Sequence, residues 1–156
     1  MYYYRDINEV ETEINSFVAK LDLTDNFQDF MEQCNVKLKF PDYFGFNWEA
    51  LRDCLEDFSW LDESTIIIII DSVHLLSKSN LRDYARLFCE VEKKWIEYGV
   101  KYNLERDEIY NQYRRQLRWL SENEIKKIAV PRDVKFYFNE NEKEYIEGLI
   151  KDFSDG

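Results

Sequence analysis

Apolar positions recur along the chain at two different periods, and each change of period marks a new element. Between Thr65 and Asp71, five isoleucines follow one another without a polar break. β-Branched side chains on successive positions point to both faces of a sheet, so this strand must be covered on both sides. Such a central strand takes parallel neighbours, and parallel neighbours require helical crossovers. Ser16–Leu23 supplies one neighbour, with Phe17, Ala19 and Leu21 alternating against Val18 and Lys20. Asp133–Asn139 supplies a closing strand, with Val134, Phe136 and Phe138 alternating against Lys135 and Tyr137. Helical spacing fills the intervals. Phe27, Phe30, Met31 and Cys34 follow a cap at Asp25. Leu81, Tyr84, Leu87, Phe88, Val91, Trp95 and Tyr98 set a helix over 80–98 that Gly99 can close in a left-handed cap. Ile109, Tyr113, Leu117 and Leu120 set another over 104–120, and Tyr145, Ile146, Leu149, Ile150 and Phe153 an amphipathic last helix over 142–153. The first residues read two ways: Tyr2–Tyr4 as an edge strand, or Ile7, Val10 and Ile14 as a short helix. The expected fold class is α/β, a small parallel sheet of three strands and a possible edge strand, covered by helices in a single domain over 1–156.

The stretch 40–63 reads FPDYFGFNWEALRDCLEDFSWLDE. Pro41 fixes φ and disfavours a helix just before it. Gly45 adds a flexible point, and Asn47 can cap a helix by accepting a bond from a free first-turn N–H. Trp48, Leu51, Leu55 and Phe58 then form the apolar stripe of an amphipathic helix. Glu49, Asp53 and Glu56 fall almost opposite that stripe, with Asp57 and Arg52 flanking them. Seven acids stand between Asp42 and Glu63 against one base, Arg52. An acidic helix face is ordinarily a solvated one. Here, however, stacked carboxylates repel by a few tenths of a kcal/mol per pair, with no lysine among them. Tyr43, Phe44 and Trp60 border the face with large rings of the kind found at interface centres. A cationic partner accounts for both features.

Pro41, Asp42, Tyr43, Phe44, Gly45, Asn47, Trp48, Glu49, Ala50, Leu51, Asp53 and Leu55 together resemble the signature of the barstar family, intracellular inhibitors of the ribonuclease barnase. That signature runs Pro-acid-Tyr-aromatic-Gly-x-Asn-hydrophobe-acid-Ala-Leu-x-Asp-x-Leu. The resemblance implies a small parallel sheet covered by helices, with the helix after Asn47 and the loop before it as the binding face. It implies an immunity protein that plugs the active site of a cognate nuclease toxin, most simply a ribonuclease. On that basis Asp53 enters the catalytic cleft and Glu49 binds a second cation. Glu56 and Asp57 extend the acidic footprint, Tyr43 and Phe44 cover its rim, and Asn47 holds the loop–helix junction. Trp48 and Leu51 are structural, and Glu90, on the helix ending at Tyr98, is a further candidate acid. The chain departs from the family by an N-terminal piece, an inserted helical segment at about 100–132 and a C-terminal helix. Arg52 stands where the family's inhibitor has a tryptophan, and Glu56 and Asp57 stand where it has small loop residues. All three lie on the binding face.

Composition narrows the partners. The chain has 156 residues, 45% of them hydrophobic and 17% aromatic, and a formal charge of −11. That charge argues against direct contact with nucleic acid or an anionic membrane and favours a basic protein. The longest apolar run, Ile66–Ile70, is too short to span a bilayer, and the first residues lack the apolar core of a signal peptide. Cys34, Cys54 and Cys89 are odd in number and widely spaced, which fits buried thiols in a reducing cytoplasm. No catalytic residue, metal ligand set or cofactor site is expected. A carboxylate enzyme built on Glu49 and Asp53 would lack an accompanying base, since His74 is the only histidine and sits in a loop. Arg114, Arg115 and Arg118 read as a solvated face pairing with acids such as Glu105 and Asp107. The expectation is a cytoplasmic protein, monomeric when free. The alternative is an acidic docking or nucleic-acid-mimic module that binds a basic protein without inhibiting catalysis.

Overall fold

The computed structural model describes residues 1–10, 15–73 and 76–154, with side chains as far as Lys151. Ile14 and His74 fall outside the described residues, as does the side chain of Phe153. Four strands, β1 (Tyr2–Tyr4), β2 (Ser16–Leu21), β3 (Thr65–Ile70) and β4 (Asp133–Asn139), form one sheet in the order β1-β4-β3-β2. Every neighbouring pair is parallel. The fold is α/β with the isoleucine strand inside the sheet, and the N-terminal tyrosines do add the edge strand.

Register explains the isoleucine run. Ile66, Ile68 and Ile70 pair with Phe17, Ala19 and Leu21 on one side and with Val134, Phe136 and Phe138 on the other. These three isoleucines belong to the main core, which the longer helices cover. Ile67 and Ile69 point the opposite way, into a smaller cluster with Tyr4 and Val10. There the short helix α1 (Ile7–Val10) supplies the cover, so a strand and a short helix follow one another, with Ile14 of the helix reading outside the described residues. All five isoleucines are buried, each worth roughly 1.5–3 kcal/mol of transfer free energy.

Five further helices follow: α2 (Phe27–Lys37), α3 (Trp48–Leu55), α4 (Lys78–Gln116), α5 (Glu122–Ala129) and, after a single 3-10 turn, α6 (Lys143–Ser154). Asp25 does not cap α2. Asn26 has the extended backbone of a cap, and its side chain accepts the N–H groups of Gln28 and Asp29. Asp25 instead accepts the Ser77 N–H (2.8 Å) and the Asn80 amide (2.9 Å), tying the start of α2 to the start of α4.

Gly99 does not end a helix, and no described glycine has a positive φ. α4 runs on to Glu105, the one residue inside it with non-helical angles (φ −127°, ψ 29°). Tyr98 and Tyr113 would stand roughly 22 Å apart along a straight helix, yet they line one small cavity. The Tyr102 and Tyr110 hydroxyls also lie 3.0 Å apart. α4 therefore bends sharply at Glu105, and its second part packs back on the first through these rings and Ile109. That part ends at Gln116 rather than Leu120, and α5 is an element the apolar pattern did not reveal. The segment after Gly99 thus forms an arm of two short helical pieces. Buried Arg132 roots it, donating to the carbonyls of Leu61 (3.0 Å) and Lys127 (3.2 Å).

Candidate functional site

The loop before α3 is built around two aromatic rings. The Phe44 N–H closes a turn on the Pro41 carbonyl (2.9 Å). Its ring, only 5% exposed, meets Phe40 edge-on (centroids 4.8 Å apart) and lies against Phe46 (4.7 Å). Phe44 was expected on the rim. It belongs to the core, because the turn that exposes Tyr43 points the next side chain inward. Trp60 is likewise support: its indole N–H donates to the Leu38 carbonyl (3.0 Å), and its ring meets Phe40 edge-on. Tyr43, at 74% exposure, is the aromatic left outside, with its hydroxyl 3.5 Å from Asp57.

Asn47 joins loop to helix as expected. Its Oδ1 accepts the Ala50 N–H (2.8 Å) and its Nδ2 donates to the Gly45 carbonyl (3.3 Å). A Cβ on Gly45 would stand 3.1 Å from that Nδ2, so a larger residue there would press on the cap. Phe46 has a left-handed backbone (φ 51°), and its carbonyl accepts from the Gln28 amide (3.2 Å). α3 ends at Leu55, earlier than the stripe to Phe58 suggested. The Glu56 N–H bonds the Arg52 carbonyl, and the chain turns through a left-handed Phe58 that remains fully buried.

The acids sort into two groups. Glu49 and Asp53 are exposed, one turn apart on the outer face of α3, and neither forms a hydrogen bond or ion pair with a described residue. Asp42 is exposed and unpaired in the same way, a residue counted among the acids of this stretch but not among the site residues. Asp57, half-buried, accepts the Ser59 N–H (3.3 Å) beside the Tyr43 hydroxyl. Glu56 and Glu90 differ. Arg52 reaches Glu90 at 2.6 Å and Glu56 at 3.7 Å, and Lys94 reaches Glu56 at 2.6 Å. The Glu56 side chain is only 13% exposed. Within the expected footprint, Arg52, Glu56 and Glu90 are thus engaged in an alternating network with Lys94 that joins α3 to α4. The missing lysine comes from α4. Asp62 is engaged too: Lys127 of α5 lies at 2.9 Å and holds its carboxyl below the usual range.

Trp48 and Leu51 are structural. Leu51 is buried, and Trp48 packs edge-on to Phe27 (5.4 Å) beside Tyr84 (5.6 Å). On the α4 side of α3, a groove of about 740 Å³ is floored by Phe27, Met31, Phe46 and Trp48 and rimmed by Arg52 and Glu90. Where α3 ends, Glu56 and Asp57 share a cavity of about 200 Å³ with Lys94, Tyr98 and Tyr113. Burial pushes the Cys54 thiol beneath the helix up to about 11. The surface as a whole offers anionic oxygens on a rigid support and is suited to charge-assisted bonds with cations.

Residues 14–107 match the family model described as Barstar (barnase inhibitor). No curated protein and no solved structure matches the chain. The matched region runs through β2, α2, the loop, α3, β3 and the first part of α4, and so contains the whole acidic face. It leaves most of the arm, β4 and α6 outside. With more than half of its length matched, and with the loop, cap and acidic helix where the family's signature puts them, the chain belongs to the barstar family.

Proposed function

We propose that the chain inhibits a nuclease by occupying its active site with the outer face of α3 and the loop before it. Nuclease active sites gather arginine, lysine and histidine to hold phosphates and stabilise a charged transition state. Carboxylates spaced along a helix take the phosphate positions and form charge-assisted bonds with those cations. The observation that carries this reading is the contrast between the acids of α3 and the acid at its C-terminal cap. Glu56 is neutralised by the chain's own Arg52 and Lys94, while Glu49 and Asp53 are exposed and unpaired among the described residues. Asp53, in the middle of the face, is the residue that enters the cleft. Glu49, Asp42 and Asp57 add to the acidic footprint, and Tyr43 covers the rim. Arg52, Glu56 and Glu90 act from behind by fixing α3 against α4. The target is a cognate toxin with a basic active site, and the inhibitor works in the cytoplasm as a monomer.

Affinity capture with the wild-type chain and with Asp53→Ala tests this. The wild type should retain a basic protein that the variant does not. The nuclease activity of that protein should fall when the wild-type chain is added back. If Asp53→Ala captures the same protein equally well, the plug is wrong. A captured protein that keeps full nuclease activity in the complex makes the chain an acidic docking module instead.

A further inference from the structure

The arm carries the one exposed indole among the chain's four tryptophans, and it carries it on a braced turn. Trp119 is 76% exposed. With Arg118 it forms the centre of the turn that the Leu120 N–H closes on the Leu117 carbonyl (3.1 Å). Both feet of the turn are fixed. The Leu117 N–H bonds the Tyr113 carbonyl (2.8 Å) where α4 ends. Ser121 and Glu124 cap each other's N–H groups (2.8 and 3.2 Å) where α5 begins. Arg114 straddles the turn in a two-point bond to Glu122 (2.9 and 3.1 Å). A slack tip would let the ring fold onto nearby apolar surface, whereas this bracing holds it out in water. A rigid, presented aromatic is how interfaces reduce the entropy lost on binding.

The charge beside the ring is equally specific. Glu122 neutralises Arg114, but Arg115 and Arg118 are exposed and have no hydrogen bond or ion pair with a described residue. Two guanidinium groups without a partner among the described residues thus stand within four positions of an exposed indole, on a chain of net charge −11. The turn also lies outside the residues matched to the family.

From these features we infer that the Leu117–Leu120 turn is a second docking surface, for an acidic protein segment that bears an apolar or aromatic side chain. The segment's carboxylates pair with Arg115 and Arg118, and its apolar side chain covers the Trp119 ring. A nucleic acid strand fits less well, because it carries no carboxylate–side-chain pairing of this kind and must bring its phosphates against a chain of net charge −11. The inference does not depend on the inhibitor reading, since it concerns other residues and a ligand of opposite charge.

Fluorescence anisotropy of a labelled Glu/Tyr copolymer, at physiological ionic strength, tests it. The full-length wild type should bind saturably. Affinity should fall about tenfold or more in Trp119→Ala and in the double reversal Arg115→Glu/Arg118→Glu. Reversal of exposed Lys101 on α4 should leave binding unchanged. All three variants should melt with the wild type, because the altered side chains are exposed. The proposal is overturned if the wild type shows no saturable binding, or if the Trp119 and arginine variants bind as the wild type does. It is also overturned if an oligouridylate of equal charge binds as tightly as the copolymer.

Discussion

The Arg52 guanidinium lies 2.6 Å from the Glu90 carboxylate, so the base inside the acidic stretch is turned away from the acids on its outer face. It answers an acid on the neighbouring helix and, more distantly, Glu56. The outer face keeps its charge for that reason.

Arg52→Ala should therefore act mainly on encounter. The pairs are partly solvated, so the loss in stability should stay below about 1 kcal/mol. Removing the base makes the face more negative and frees Glu90. Association with the basic partner should become faster and more sensitive to salt. Stopped-flow association rates at two ionic strengths, together with a melting curve, check both parts. A slower association would mean that Arg52 itself contacts the partner.

Asn47→Ala removes the cap of α3 and its brace to Gly45 together. The expected loss is about 1 kcal/mol, within the range of roughly 0.5–2 for capping residues, read as a lower urea midpoint. Because α3 is short, the cap fixes a large share of its geometry. Binding should weaken even at temperatures where the variant is fully folded. Asn47→Asp keeps the acceptor and should restore most of the stability.

The Ser77 N–H, and after it the Asn80 amide, hold the Asp25 carboxyl below the usual carboxylate range. Its folded value lies under the unfolded one, which is about 3.9. The stabilisation is therefore present above that pH and disappears as pH falls through the folded value. Asp25→Asn, which keeps an acceptor but no charge, should trail the wild type in urea midpoint at neutral pH. The gap should narrow below about pH 4 and close once the wild-type carboxyl is protonated. A gap that widened on acidification would contradict the assignment.

The readable parts of the chain were those written locally. The isoleucine strand follows from branching on consecutive positions, and β4 follows from strict alternation. The start of α3 follows from Asn47 and the signature around it. What escaped depends on distance. A glycine at position 99 looks like a stop, but α4 packs well enough on both sides to continue through it and bend later, at Glu105. α5 did have a local mark, the Ser121-x-x-Glu124 capping box, but its two isoleucines were too few to set a period in so charged a segment. Nothing near Glu56 in sequence announces Lys94, and the sequence does not say that Tyr43 faces out while Phe44 faces in. Sequence therefore located the acidic face. It did not separate the acids that are free from those already engaged.

The sheet order has a consequence for synthesis. β1 is made before the other strands, yet among the described residues its partner in the sheet is β4 alone, with Tyr2 beside Tyr137. β3 likewise lacks one of its two neighbours until Asp133–Asn139 has emerged. Pairings this far apart in the chain close slowly and leave strand edges open in the interval. The ribosome therefore releases the loop and α3 long before the platform beneath them is finished, and competence to bind should arrive late, together with the closing strand.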